Sequence, residues 1–293
     1  MLSILIPTHD YTCYQLVADL HKQAEKLGVP YEIIVAEDGS RSQVNIIANH
    51  KITELANCQH IQRKENIGLA ATRNELAKMA RYDWILIIDS DATVEAPDFL
   101  EKYCSYMQQE KVVMGGLYHQ EKNDNPHVTL RFKYEKQADR YRDAATRNRR
   151  PHSQLSCFNI MLHKPTFLQI LFDEDCTEYG YEDALFGVEL KKRGINILHI
   201  DNPLRHDGLD TNEAFLHKSE TALRTLKKLN GKMQGLSHVE NTYKKIEKLH
   251  LAWAMRLFHL LFAGLIRRNL LSRSPSLFLF SVYKLGYYAT LTS

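Results

Sequence analysis

Over the first third of the chain, apolar and polar positions alternate between two rhythms. Short aliphatic runs, LSILI (2–6), YEIIVA (31–36), HIQR (60–63) and WILIID (84–89), read as strands. Between them, the stretch from about Tyr14 to Leu27, QVNIIANHKITELA (43–56) and LAATRNELAKMA (69–80) place apolar residues every three or four positions and read as helices. The run from Trp84 to Ile88 has no polar side chain, as suits a strand covered on both faces of a mostly parallel sheet. The alternation predicts βαβ units and an α/β, doubly wound sheet.

From Pro97 to about Pro203 the pattern is less regular. KVVMGGLY (111–118) and SCFNIMLH (156–163) are predicted strands, and FLEKYCSYMQQE (99–110) and EDALFGVELKKRG (182–194) predicted helices. This half reads as an extension of the sheet that carries a second substrate. After Thr211 the chain reads as helical, with breaks near Gly231, Gly235 and Ser274-Pro275. The expected organisation is therefore 1–95, 96–210 and a C-terminal helical extension, 211–293.

With 293 residues, 44% of them hydrophobic, the chain can fill a sizeable core. Its net charge of +3, from 38 basic and 35 acidic residues, implies neither a nucleic acid nor an acidic partner. The sign is unevenly spread. Residues 241–293 hold eight Lys and Arg against one acid, Glu247, which leaves 30 basic and 34 acidic residues elsewhere. The segment 249–266, LHLAWAMRLFHLLFAGLI, is mostly apolar but contains Arg256 and His259, a poor composition for a spanning helix. It reads either as an interfacial helix at a membrane surface or as a stripe packed on the domain or on a second copy. The five cysteines, Cys13, Cys58, Cys104, Cys157 and Cys176, have no zinc-like spacing and read as reduced thiols of a cytoplasmic chain. The opening MLSILIPTHD reads as a first strand, so export is not expected.

Polar residues cluster where strands end, in THD (8–10), EDGS (37–40) and DSD (89–91), the edge at which such sheets bind ligands. Asp89 and Asp91 have the strand period of two and would leave one face if extended geometry persists. Two like charges so close repel unless a cation joins them, and equally they can cap the following turn or the helix near Pro97.

Taken together, SILIPTHD, EIIVAEDGS, NIGLAATRN, IIDSDA, YGYEDALFGVELKKRG and the histidine of PLRHDG resemble a family 2 glycosyltransferase of the GT-A fold over roughly Leu2 to His206. The resemblance implies a mostly parallel, mixed sheet and an inverting transfer from a nucleotide sugar, a UDP-sugar, to a glycan or lipid-linked glycan acceptor, as in polysaccharide biosynthesis. It places Pro7, Thr8, His9, Asp10 and Asp38 around the nucleotide base, although Asp38-Gly39 is also a plain turn. Asn66 and Gly68 fall at a helix N-terminus suited to an anion, with Arg73 near the nucleotide. It puts Asp89 on the ribose side or at a metal-bound water, Ser90 at the nucleotide sugar, and Asp91 and His206 on Mn²⁺ or Mg²⁺. It makes Asp183 the base, with Glu182 and Asn159 toward the acceptor. Many relatives carry a glycine-asparagine pair where this chain has Phe158-Asn159. The transferred group would be a hexosyl or N-acetylhexosaminyl unit, the enzyme peripheral on the inner face of the cell membrane through its C-terminal helices, and a homodimer is compatible with them. Two other readings stay open: a non-catalytic nucleotide-sugar-binding scaffold and a sugar-nucleotide pyrophosphorylase. The latter calls for a glycine-rich, basic first loop, which IPTHDYTCY lacks.

Overall fold

The computed structural model describes residues 1–176, 180–229, 232–233 and 235–291. Gly231 and Tyr179, two positions named above, lie outside the described residues. The chain forms two compact units, one of Met1–Tyr118, Tyr141–Thr177 and Glu182–Gly208, the other of His119–Arg140, Glu178–Tyr181 and Leu209–Ser293. Residues 119–140 thus cluster with the C-terminal helices rather than with the flanking segments.

In the first unit the strands are β1 (Leu2–Thr8), β2 (Tyr31–Glu37), β3 (Cys58–Gln62), β4 (Trp84–Ile88), β5 (Ala92–Thr93), β6 (Val112–Met114), β7 (Leu117–Tyr118), β8 (Asn159–His163), β9 (Leu198–His199) and β10 (Leu204–His206). Seven build the main sheet in the order β3-β2-β1-β4-β8-β6-β9, and β5-β10-β7 form a small second sheet. β1 runs parallel to β2 and β4, and β2 parallel to β3. β8 is antiparallel to both β4 and β6. The sheet is therefore mixed and mostly parallel, the GT-A arrangement expected above. β1 and β2 are buried along their whole length, which explains their mostly apolar character; buried Ser3 donates to Glu32 at 2.6 Å across the pair.

Helices α1 (Tyr14–Leu27), α2 (Gln43–His50), α3 (Leu69–Met79) and α4 (Phe99–Tyr106) cover the sheet. In α1 the buried side chains Leu16, Val17, Leu20 and Ala24 share one face, and Gly28 ends the helix with a left-handed φ of 63°. The predicted strand KVVMGGLY divides in two. A Cβ at Gly115 would lie 2.3 Å from the Asn202 carbonyl oxygen, and Gly116 has a φ of 91° that only glycine adopts cheaply. Backbone therefore crosses backbone there, leaving β6 in the large sheet and β7 in the small one. Further along come α6 (Ala144–Asn148), α7 (Lys164–Leu168) and α8 (Glu182–Lys192).

The second unit is helical: α5 (Thr129–Asp139), α9 (Asn212–Lys228), α10 (His238–Lys248), α11 (Ala252–Leu270) and α12 (Leu277–Thr290). Its core joins Leu130, Phe215, Leu216, Ile266, Leu270 and Phe280. The Asn212 carboxamide ties α9 to α5 by accepting the Leu130 amide proton at 2.7 Å. The sequence pattern did not reveal α5, in which the buried side chains are Leu130 and the Arg131-paired Glu135.

Candidate active site

All the predicted site residues lie in the first unit, at or near the carboxyl ends of its strands. At the end of β1, Thr8 is buried and its hydroxyl donates to the Tyr11 carbonyl at 3.2 Å; Pro7 pairs with Ala36 inside the sheet. Asp10, exposed at a φ of 51°, accepts the amide protons of Arg41 (2.6 Å) and Ser42 (2.7 Å), which hold its carboxyl below the usual range. His9 Nδ1 and Asn66 Nδ2 both reach the Asp38 carbonyl oxygen, at 2.8 and 3.0 Å. These contacts draw Thr8, His9, Asp10, Asp38 and Asn66 into one loop cluster.

Asp38 does something that spacing along the chain cannot show. Its two carboxylate oxygens accept the amide protons of Ile67 (2.8 Å) and Gly68 (3.0 Å), so it pins the loop that leads into α3 from the end of another strand. The Gly68 amide is thus already spent on a carboxylate of the protein itself.

The α3 helix buries Arg73 completely, between two carboxylates. Nη2 lies 2.7 Å from Asp89 Oδ1 and Nη1 3.0 Å from Asp183 Oδ1. The guanidinium sits 5.4 Å from the Phe172 ring, itself stacked on Phe186. The other oxygen of Asp183 accepts the Cys157 amide proton at 2.9 Å. Both ends of the carboxylate are therefore held, while the side chain keeps about a quarter of its surface exposed, at 25%.

Asp89 and Asp91 do not share a face. The strand ends at Ile88, and the Ala92 amide donates back to the Asp89 carbonyl at 3.2 Å, closing a turn around half-buried Ser90. That turn aims Asp89 at Arg73 and Asp91 elsewhere. Immediately after it, β5 pairs antiparallel with β10 in the register His206↔Ala92, and this two-residue ladder sets His206 Nε2 3.0 Å from Asp91 Oδ2. The Phe158 ring packs edge-on against the imidazole, 5.1 Å between centroids. Tyr11 stands close enough that the Asp91 charge, after burial, raises its phenol. Neither Tyr11 nor Gly208 was singled out from the sequence. Gly208 matters because a Cβ there would lie 2.0 Å from Asp91 Oδ2, so only glycine leaves that carboxylate its place.

Asn159 also departs from expectation. It is wholly buried, its Nδ2 donating to the carbonyls of Asn202 (2.9 Å) and Gly116 (3.1 Å) and its Oδ1 accepting from Tyr103 (2.7 Å). With its amide spent on the β6–β7 crossing, it braces the sheet. Glu182 opens α8 beside Asp183, and burial, with the Asp183 charge adding, pushes its carboxyl up to about 7.

Among the described residues no group of three His, Cys, Asp or Glu side chains converges as a closed metal site. Beside the turn after β4 one carboxylate and one imidazole meet, Asp91 and His206, both half-buried. A hard cation that keeps several positions for water and phosphate fits such a two-donor site, and Gly208 keeps it clear.

Residues 3–166 match the sequence model of glycosyl transferase family 2. The chain belongs to this family. It is 23% identical over 239 residues to a chondroitin synthase of Pasteurella multocida, an alignment covering 70% of this chain and 24% of that one. An uncharacterized glycosyltransferase of Haemophilus influenzae is 30% identical over 117 residues, 39% of this chain and 45% of that protein. The chain thus spans about a quarter of the length of the first relative and less than half of the second. Among solved structures, the mannosyltransferase PcManGT from Pyrobaculum calidifontis, determined with GDP-Man and Mn²⁺, aligns with a TM-score of 0.51 at 12% identity, over 78% of this chain and 63% of that one. That likeness is one of fold.

Proposed function

We propose that this glycosyltransferase moves a hexosyl or N-acetylhexosaminyl group from a UDP-sugar to a hydroxyl of a glycan or lipid-linked glycan, inverting the anomeric centre and depending on Mn²⁺ or Mg²⁺. The observation that carries the reading is the pairing of Asp91 with His206 at 3.0 Å, next to the Asp89–Arg73–Asp183 bridge. The first pair offers cation ligands, and the second a carboxylate held for proton transfer. The uridine assignment rests on the resemblance of the Thr8, His9, Asp10 and Asp38 cluster to the family's pyrimidine pocket. The Mn²⁺ in the mannosyltransferase of the same fold is consistent with a metal here.

When bound, the cation supplies positive charge against the departing diphosphate. Asp91 and His206 would hold it. Asp183 takes the proton of the acceptor hydroxyl while that oxygen bonds to the anomeric carbon, and the electron pair of the breaking carbon–oxygen bond leaves with the nucleoside diphosphate. Arg73 and the Cys157 amide fix the carboxylate so that one lone pair faces the acceptor. Glu182 binds a second hydroxyl of the acceptor. One displacement with one base gives inversion.

The test is a panel of UDP- and GDP-sugars, scored for released nucleoside diphosphate and for thermal stabilisation, with Mn²⁺ and with excess chelator. Metal-dependent release from a UDP-sugar is expected. Stabilisation without turnover over a broad acceptor set would make the protein a binding scaffold, and equal turnover in chelator would remove the metal from the scheme.

A further inference from the structure

Helix α11 turns two of its polar groups toward its neighbour α12: His259 is buried against the rings of Tyr283 and Tyr287, and Arg256, though exposed, has its Nε donating to the Ala289 carbonyl at 2.7 Å. Gly286 permits this closeness, since a Cβ there would lie 2.7 Å from His259 Nδ1. Ile266 and Leu270 enter the core, but most of the other large apolar residues face away. Trp253, Leu257, Leu260, Leu261 and Leu265 follow one helical stripe and are 48 to 74% exposed. Exposed Phe258 and Phe262 widen the stripe, and exposed Leu249 and Leu251 precede it. A contiguous apolar face of this kind on a folded chain marks a contact surface.

The charges around it select the occupant. No acidic residue lies between Leu249 and Ser293. Exposed Lys245 and Lys248 precede the stripe in the chain, while exposed Arg268 and Arg273 follow it. Two copies pairing through this face about a twofold axis would bring together eight of these basic groups against only the two carboxylates of exposed Glu247, so like charge predominates whether the helices ran parallel or antiparallel. An anionic surface with an apolar interior satisfies both terms at once. No single helix among the described residues is long and apolar enough to cross a membrane, and α10 and α11 meet at a bend of 118°.

We infer that the outer face of α11 seats on the surface of a bilayer containing anionic phospholipid, with the leucine and aromatic stripe at the headgroup–acyl boundary and Lys245, Lys248, Arg268 and Arg273 among the phosphates. This binding is independent of the transfer reaction proposed above and is read without measuring it.

The experiment is sedimentation of the full chain with vesicles of phosphatidylcholine alone and with about one third phosphatidylglycerol, at low and high salt, alongside its hydrodynamic mass without lipid. Cosedimentation with the anionic vesicles and weak binding to the neutral ones are expected. Leu260→Gln with Leu261→Gln, two exposed positions whose change leaves the circular dichroism intact, should weaken anionic binding at least about tenfold. Lys245→Gln, Lys248→Gln and Arg268→Gln together should do the same at low salt and less at high salt. The inference falls if the parent chain stays in the supernatant, if neutral vesicles bind it as well, or if neither variant changes binding. It falls equally if the chain is a dimer that the leucine variant makes monomeric, because the face is then a seam between copies.

Discussion

Arg73 and Asp183 meet in a 3.0 Å ion pair across 110 positions of sequence, and the same guanidinium holds Asp89 at 2.7 Å. A helix from the first half of the sheet therefore sets the position of a carboxylate on α8, and the candidate base and the first aspartate of the turn after β4 are parts of one assembly. Removing Arg73 would leave two half-buried carboxylates facing each other. We expect Arg73→Met to destabilise the protein by about 3 kcal/mol, the scale for stripping one partner from a buried pair, measured by urea unfolding. Arg73→Lys keeps the charge but not the fork that reaches both acids, so it should fold better than Arg73→Met and still lose kcat. Full activity in Arg73→Lys would show that the bridge does not position Asp183.

Asp183→Asn preserves size and can still accept from Arg73 or the Cys157 amide, but it cannot take a proton. A fall in kcat of at least about a hundredfold, with nucleotide-sugar affinity near that of the parent, is the expected result. An unchanged kcat would move the base to another carboxylate, with Glu182 the nearest.

Gly208→Ala tests the metal site without touching a ligand. The new methyl would lie 2.0 Å from Asp91 Oδ2, so the carboxylate must turn away from His206. Titration of Mn²⁺ by calorimetry in the presence of nucleoside diphosphate should show affinity lowered about tenfold or more in Gly208→Ala, and further in His206→Ala. Parent-like Mn²⁺ binding in both variants would place the cation elsewhere.

Glu182 gives a pH signature. Its carboxyl is raised to about 7, whereas an unfolded glutamate titrates near about 4.3. Between those values the folded chain holds a proton that the unfolded chain has lost, so stability falls as pH rises through the window and the loss is complete above about pH 7. Glu182→Gln should remove that part of the slope and exceed the parent in stability at pH 8, as read from urea midpoints at pH 5 and pH 8. Parallel pH profiles for parent and variant would contradict the assignment.

Much of the fold was legible because its signals are local. The mostly apolar strands β1, β2 and β4 and the 3.6-residue period of α1 and α3 can be read within a dozen residues, and burial on both sheet faces is what makes them so plain. The gathering of polar residues along one edge was legible for the same reason, since a parallel sheet puts the residues after each strand on one side. What the partners of those residues are was not. Asp38 pinning the loop that leads into α3, Arg73 joining Asp89 to Asp183, and Asn159 locked between Gly116 and Asn202 are contacts between elements far apart in sequence, and no spacing encodes them. The turn that sends Asp89 and Asp91 to different partners depends on a two-residue ladder too short to have a period. In α11 the sequence held the composition of an amphipathic helix, but packing against α12 decided which side faces outward: His259 is buried there and Arg256 bonds to the Ala289 carbonyl, because each finds a partner that the leucines do not need.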